Sequence, residues 1–585
     1  MAGTLEPLRK KPKKRLFSVF DIETSTDLMN VYLVGYYDGK RYAYYESPLL
    51  PPEHPDSAMT KFLRWYLSRA TRRNLYAHNG GNFDSVFLLK SLTVNFPEFN
   101  ATIIPSNSTI LKLSITHPPD EWEWTILDSA RTLPDSLNNL GLCFTGRGKA
   151  EFGGDYDTLH LNPLRYDYLK QDCVLLYNTL VAAFAKLEHR IGGRVSISAA
   201  STALATYRAG YQDTPIPQLG EKSDRLARAG YYGGRCEVFR KSFEGDFEHR
   251  LNYYDVNSMY PDALRQPMPF EVSKNETDCG FLDVTVEVPD THVPVLPFRQ
   301  KNKLLFPCGK FRGVYSTVEL ELARTQGVRI VQRHESIYYR TTVLFSDFVE
   351  KLYWLRNKEN PDYDEATAKI AKLLLNSLYG KFGSATEREQ IHLRPTVSDI
   401  ASRGLVPMPS PLVHDFYIEK TTLDADYMLP HISAWVTALS RVKWARGAIE
   451  CGAGLYYGDT DSLMSDVPMS DNVGPLLGQW KVESPRDPIV SAYFLAPKVY
   501  VLRHASGKLT NKAKGFARFG KSPMPDDLVA RLRSGEAIEV SRMAKVRSVI
   551  KGEFGLVKSF KRIHNLDEKR VFEKDGTSHP RRIEQ

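Results

Sequence analysis

Leu455-Tyr456-Tyr457-Gly458-Asp459-Thr460-Asp461-Ser462-Leu463 decides the reading of this chain. Aromatic and aliphatic residues on both sides read as two short buried strands, with Gly-Asp-Thr-Asp as the tight bend between them. Two carboxylates at one tip repel each other. Such a bend makes chemical sense around a divalent cation, and hard oxygen donors suit Mg²⁺. A third acid must come from elsewhere to complete the site. The candidate is Asp255, in Tyr253-Tyr254-Asp255-Val256-Asn257-Ser258-Met259-Tyr260-Pro261, where an apolar strand ends and the Val256 carbonyl becomes a further donor.

The 585 residues are enough for several domains, and a hydrophobic share of 42% supports large cores. Charge sums to +9, a modest excess that suits a polyanionic partner without requiring one. Six scattered cysteines with no CxxC pair argue against a zinc ribbon or a disulfide framework, and for a reducing compartment. No apolar run reaches the roughly 18 residues of a membrane span. The basic start (Lys10, Lys11, Lys13, Lys14, Arg15) lacks the apolar stretch of a signal peptide. It reads as a nuclear address, a phosphate contact or a solvated tail.

Three earlier segments each carry an acid. Leu16 to Thr24 alternates as a strand, so Asp21 and Glu23 share a face. Asn74 to Asp84 runs from an apolar strand through a Gly/Asn-rich loop to Phe83-Asp84, which opens a helix. Tyr166 to Leu176 reads as a helix, with Tyr168 and Asp172 at i, i+4. Asp21, Glu23, Asp84 and Asp172 together suit two metal ions that activate a water against a phosphodiester, with Tyr168 orienting that water.

In order and placement these segments resemble the 3′–5′ exonuclease motifs of proofreading DNA polymerases. The resemblance implies that Asn79 and Phe83 grip a frayed single strand, Phe83 by stacking. Ser129, in Asp128-Ser129-Ala130-Arg131, falls where relatives have a further single-strand contact, although Ala130 replaces their leucine. Lys149 is either an aid to the metal site or an ordinary exposed lysine. Further on, Tyr231-Tyr232-Gly233-Gly234 matches the family's template-binding Tyr-x-Gly-Gly segment, which assigns Tyr231, Gly233 and Gly234 to DNA.

Asp362 to Tyr379 reads as a helix that Gly380 stops, with Lys372, Asn376 and Tyr379 on one stripe. A lysine there meets a triphosphate as a compact charge, and a tyrosine lies against a base. Segments 253–261, 372–383 and 456–462 resemble motifs A, B and C of family B DNA polymerases. By that resemblance Asp255, Asp459 and Asp461 hold the metals, with Asp459 supporting or binding transiently. Tyr260 lies under the sugar and rejects a 2′-OH. Lys498 and Tyr500 match the Lys-x-Tyr element at the primer end. Thr437 to Arg441 approximates a primer-binding Thr-x-x-Gly/Ala-Arg, with Ser440 at the small position, which assigns Thr437 and Arg441 to DNA.

Asp21 so near the start leaves no room for the domain that cellular members carry ahead of the exonuclease. The A-to-B and B-to-C intervals are also long, so the whole resembles the protein-primed branch found in bacteriophages and linear elements. The implied fold is α/β and α+β multidomain, a ribonuclease H-like exonuclease followed by a right-hand polymerase. Its expected parts are a basic tail (1–15), the exonuclease (16–190), a linker with the template segment (191–235) and a first palm part (236–267). There follow an insertion contacting priming protein and DNA (268–335), fingers with flanking palm (336–383) and an insertion for strand displacement and processivity (384–428). A second palm part (429–500) and a thumb with the C-terminus (501–585) complete the chain.

The implied activity is DNA-templated DNA synthesis with proofreading. Mg²⁺ is the expected cofactor, Mn²⁺ its substitute, and dNTPs the substrates. Expected partners are primer–template DNA, single-stranded DNA and a terminal protein that primes synthesis, with no membrane. A monomer in the cytoplasm, the host cell's if viral, completes the expectation. The rival is a catalytically inactive nucleic-acid-binding descendant, which intact acids at both sites oppose. An RNA-making enzyme is disfavoured by Tyr260.

Overall fold

The computed structural model describes residues 3–9, 16–71, 73–106, 109–151, 156–301, 303–409, 415–516, 531, 534–543, 545–550, 554–561 and 569–585. The basic run at 10–15 lies outside them. The architecture is multidomain α/β, and two sheets carry the acids.

The larger is a ten-stranded sheet. Its centre is parallel: Phe17–Thr24 pairs with Asn74–Ala77, which pairs with Trp122–Asp128. Val31–Tyr37 and Tyr42–Leu50 extend one side antiparallel. Helices cover both faces, as parallel strands require. Alternation in Phe17–Thr24 sends Val19 into the core with helix Arg165–Lys186. It sends Phe20 and Ile22 to the opposite core, with helices Ala58–Leu67 and Asp84–Asn95.

The far edge of this sheet comes from much later in the chain. Glu387–Leu393 pairs antiparallel with Asn100–Ser106, and Phe416–Thr422 pairs in turn with Glu387–Leu393. The 384–428 segment therefore extends the N-terminal sheet. Its partner strand lies about three hundred residues earlier, beyond the reach of local pattern.

The second sheet is antiparallel, in the order Cys236–Val238, Leu455–Asp459, Ser462–Ser465, Asn252–Val256, Trp480–Glu483. Helix Pro430–Cys451 lies behind it, with Trp444 in the shared core. A third sheet, from Met268–Ser273, Arg329–Thr342, Cys279–Val288 and Cys308–Ser316, ends in the chain's last strand, Arg582–Glu584. Between the two acid-bearing sheets, helix Glu365–Phe382 packs on helix Ala199–Gly210, so 191–235 includes well-packed helical structure.

That helix departs from expectation at both ends. It begins at Glu365 under an Asp364 cap, whose carboxylate accepts the Thr367 N–H at 3.0 Å. It passes through Gly380 to Phe382. Gly380 is exposed with open space about it, so it costs propensity without breaking the helix. The crowded glycine is Gly383, where a Cβ would come within 2.9 Å of Ser433 Cβ.

Candidate active site

The hairpin acids assemble through backbone pairing. Asp459 pairs with Ser462 across the bend, and Asp255 pairs with Ser462 from the other side. The Val256 N–H donates to the Asp461 carbonyl at 2.8 Å, which brings Asp255 and Asp461 to one sheet edge. Thr460 takes φ 64°, a strained value for a β-branched residue, and its N–H donates to the Arg235 carbonyl at 2.7 Å. Gly234 is needed here because a Cβ would stand 2.9 Å from Thr460 Cγ2. Burial and then the Asp461 charge push Asp255 up to about 6. Burial and the Asp459 charge raise Asp461. Lysines pull the other way, Lys481 and Lys372 on Asp255 and Lys498 and Lys512 on Asp461, but burial and the neighbouring acids outweigh them.

Asp459 is held differently. Lys498 Nζ lies 2.7 and 2.8 Å from its two oxygens. Burial opposes the lysine's charge, but the Asp459 bond prevails and raises its pKa. Lys498 itself sits at φ 64°, with its N–H donating to the Tyr457 hydroxyl at 2.9 Å. Lys498 was expected at the nucleotide or primer end; its partner in this structure is Asp459.

Tyr260 stacks on Tyr379 with centroids 4.5 Å apart and planes at 18°. Lys372 and Asn376 stand exposed on the same helix stripe as Tyr379. Arg356 escaped the sequence reading. Its guanidinium donates to the Ser258 hydroxyl at 2.7 Å, at the start of helix Met259–Leu264. Burial lowers its pKa. A half-buried arginine aimed at the segment after Asp255 is suited to phosphate. The cue in the sequence was slight, a lone Arg in Trp354-Leu355-Arg356-Asn357.

The N-terminal acids also converge. Asp21 and Glu23 project from the central strand, Asp84 opens its helix, and Asp172 lies on helix Arg165–Lys186. Burial, with the charge of Asp172, pushes Asp21 up to about 7. Burial and then Asp21 raise both Glu23 and Asp84. Lys149 Nζ meets Asp172 at 2.7 Å and lies 5.8 Å from the Tyr168 ring centroid. Burial alone would lower Lys149, but Asp21 and Asp172 outweigh it and raise it. Lys149 is thus part of the cluster. Asn79 is exposed at φ 60°, and half-buried Phe83 packs edge-on to Phe87.

Four expected DNA contacts are placed otherwise. Ser129 is fully buried; its hydroxyl donates to the Ala77 carbonyl and lies 3.0 Å from His78 Nδ1. Arg441 is 4% exposed and forms a 2.8 Å ion pair with Glu319 while donating to the Tyr232 carbonyl. Thr437, 3% exposed, donates to the Ala434 carbonyl one turn back. Tyr500 is buried against Tyr457 and Phe494. All four side chains point inward, because their elements are packed on that side. Arg441 instead fixes the backbone of Tyr231 to Gly234, of which Gly233 stays exposed with open space.

Both clusters offer only oxygen donors, the chemistry of a hard divalent cation. Asp84 Oδ1 is buried with no hydrogen-bond partner, an orphan that a cation would satisfy. Among the described residues no three acidic, His or Cys side chains are drawn up closely enough to ligate one ion as they stand. The donors fit the ion, and binding it requires the side chains to close on it.

Residues 155–397 match the family of DNA polymerase type B, organellar and viral. Over these residues the chain is similar to the type B DNA polymerases. A probable DNA polymerase of Ascobolus immersus is 27% identical over 575 residues, covering 83% of this chain and 45% of its own length. The DNA polymerase of Bacillus phage Nf is 25% identical, covering 85% and 89%. The chain spans about half the length of the first curated relatives it matches, all three fungal. Among solved structures, phi29 DNA polymerase complexed with primer-template DNA and incoming nucleotide substrates superposes with a TM-score of 0.71. That pair is 19% identical, with 94% of this chain and 100% of that one covered, and the two share a fold. Among the described residues no helix is long and apolar enough to cross a membrane.

Proposed function

We propose that this chain is a DNA-templated DNA polymerase with a 3′–5′ exonuclease, working on primer–template and single-stranded DNA. The observation that carries the proposal is the backbone pairing that brings Asp255 and Asp461 to one edge. In this reading the ten-stranded sheet bears a ribonuclease H-like exonuclease, the hairpin sheet is the palm, and helix Glu365–Phe382 belongs to the fingers.

Asp255, Asp461 and the Val256 carbonyl would hold Mg²⁺, which when bound supplies charge stabilisation for phosphoryl transfer. Lys498 holds Asp459 in place beside them. Lys372 and Arg356 receive the triphosphate. The Tyr260 ring, buttressed by Tyr379, fills the space a 2′-OH would need. The attacking oxygen of a primer 3′-OH bonds to the α-phosphorus, its proton is lost, and the α–β bridging P–O bond breaks to release pyrophosphate. In the exonuclease Asp21, Glu23, Asp84 and Asp172 would hold the ions. Tyr168 and Lys149 orient the attack of water on the terminal phosphodiester. A priming-protein hydroxyl replaces the 3′-OH at initiation, and the 384–428 segment assists strand displacement.

Purified protein on a primed single-stranded circle, with Mg²⁺ and with or without dNTPs, tests this. Growth beyond one circle length with dNTPs, and trimming without them, is the expected result. Neither extension nor trimming would sink it and leave a binding protein.

A further inference from the structure

One buried charge cluster lies against the hairpin strands without belonging to either group of acids. Arg235, Glu237 and Arg570 form a triad beneath the hairpin, each of them fully buried. Glu237 Oε2 accepts from Arg235 at 2.7 and 3.1 Å and lies 3.7 Å from Arg570. Arg235 also donates to the Pro294 carbonyl at 2.6 Å and lies over the Phe306 ring at 4.2 Å. Arg570 donates to the Ser578 hydroxyl at 2.7 Å and the His292 carbonyl at 3.1 Å. Ser578 in turn donates to the Phe239 carbonyl at 2.6 Å.

A buried Arg–Glu–Arg triad is poor evidence of stabilisation, because desolvation offsets the attraction and apolar residues of equal volume do as well or better. Its position suggests a different use. Glu237 belongs to strand Cys236–Val238, which pairs residue for residue with the strand that ends in Asp459: Cys236 with Asp459, Glu237 with Gly458. The Arg235 carbonyl holds the Thr460 N–H in the strained bend. Lys569 Nζ donates to the Cys236 carbonyl at 2.9 Å. The last strand, Arg582–Glu584, is locked parallel onto Cys308–Ser316. Two arginines and one glutamate leave a net positive charge one strand away from three clustered carboxylates, in addition to the Lys498 that meets Asp459.

We propose that the C-terminal segment from Lys569 to Glu584 is a positioning element for the hairpin carboxylates, with Arg570 and Lys569 acting through Glu237 and Cys236. This rests on the polymerase reading of that hairpin. Arg570 is not a catalytic residue; it sets the register and potential of the strand beside Asp459.

The test uses the full chain carrying Arg570→Met, which keeps volume and removes charge. Three readouts are needed: amide hydrogen exchange over 455–463, extension kinetics, and excision of single-stranded DNA. Exchange at the hairpin is expected to quicken by about ten-fold or more while strand Phe17–Thr24 is unchanged. Extension kcat falls by about ten-fold, with dNTP KM and excision within about three-fold. The melting temperature falls modestly, because the Ser578 hydroxyl and the His292 carbonyl lose a buried donor. Arg570→Lys, with charge but no planar fork, falls between. Unchanged hairpin exchange, or an equal loss of extension and excision, overturns the proposal. Should Arg570→Met fail to fold, the half-buried Lys569→Ala decides by the same readouts. Absence of extension in the unaltered protein would instead remove the polymerase reading, while the exchange measurement still judges the coupling.

Discussion

The two acid clusters solve one electrostatic problem in opposite ways. The N-terminal cluster gathers Asp21, Glu23, Asp84 and Asp172 from a strand and two helices, so its geometry depends on a whole domain core. Asp84 and Asp172 are almost wholly buried, and Lys149 forms an ion pair with Asp172. The hairpin cluster draws Asp459 and Asp255 from two strands flanking a third and Asp461 from the bend, leaves them partly buried, and pairs Lys498 with Asp459. One site is organised by packing and the other by strand register. A substitution that loosens a core harms the first, and one that shifts a register harms the second.

The largest expected break in that comparison is Asp461→Ala. Extension should fall by about a thousand-fold or more, since the acid that meets Asp255 is gone, while excision by the distant cluster holds. Asp21→Ala combined with Glu23→Ala should invert the pattern. Primer extension with dNTPs, and trimming of labelled single strands without them, measure both; parallel losses in either variant would contradict two separate sites.

A smaller effect separates the two lysines. Lys149→Met removes the cation that holds the N-terminal acids toward their ionised forms. Their pKa values rise further, so the acid limb of the excision profile should move to higher pH. Excision should fall about 10- to 100-fold at neutral pH. Lys498→Met leaves that limb in place, frees Asp459 to repel Asp461, and lowers extension alone by about ten-fold. Profiles of both activities from pH 5 to 9 distinguish them. An excision limb that stays put in Lys149→Met would show that the lysine is a bystander.

What the sequence made legible followed from how local each signal is. Asp21 and Glu23 on one strand face, Tyr168 and Asp172 on one helix face, and the Asp459–Asp461 bend are short-range patterns, and the structure forms each. Long-range facts were hidden. Nothing near Glu387 announces pairing with residues 100–106, and nothing near Arg570 announces Glu237. Motif matching also located residues without orienting them. Ser129, Thr437, Arg441 and Tyr500 face inward, because orientation depends on what packs against the element. Gly380 misled for a related reason: a glycine ends a helix only where the chain needs a left-handed turn, and here it does not.

The smallest predicted effect concerns stability without metal. Asp21 has a folded pKa near 7 against an ordinary value of 3.8. The folded state therefore binds more protons than the unfolded chain between those values, and the slope of unfolding free energy with pH is negative there. The contribution is fully present below pH 3.8 and is lost as pH rises through about 7. With chelator present, Asp21→Asn should raise the unfolding free energy at pH 8 by about 1–2 kcal/mol once partial exposure is allowed for, seen as a higher melting temperature, and have little effect at pH 4. Added Mg²⁺ should reverse the order at pH 8, because the unaltered protein then gains a ligand that the variant binds less well. The matching change at the hairpin, Asp255→Asn, begins from a pKa of about 6 and should give a smaller gain. Equal gains at the two sites would mean that burial, and not the crowding of acids, governs both, and the contrast between them would dissolve.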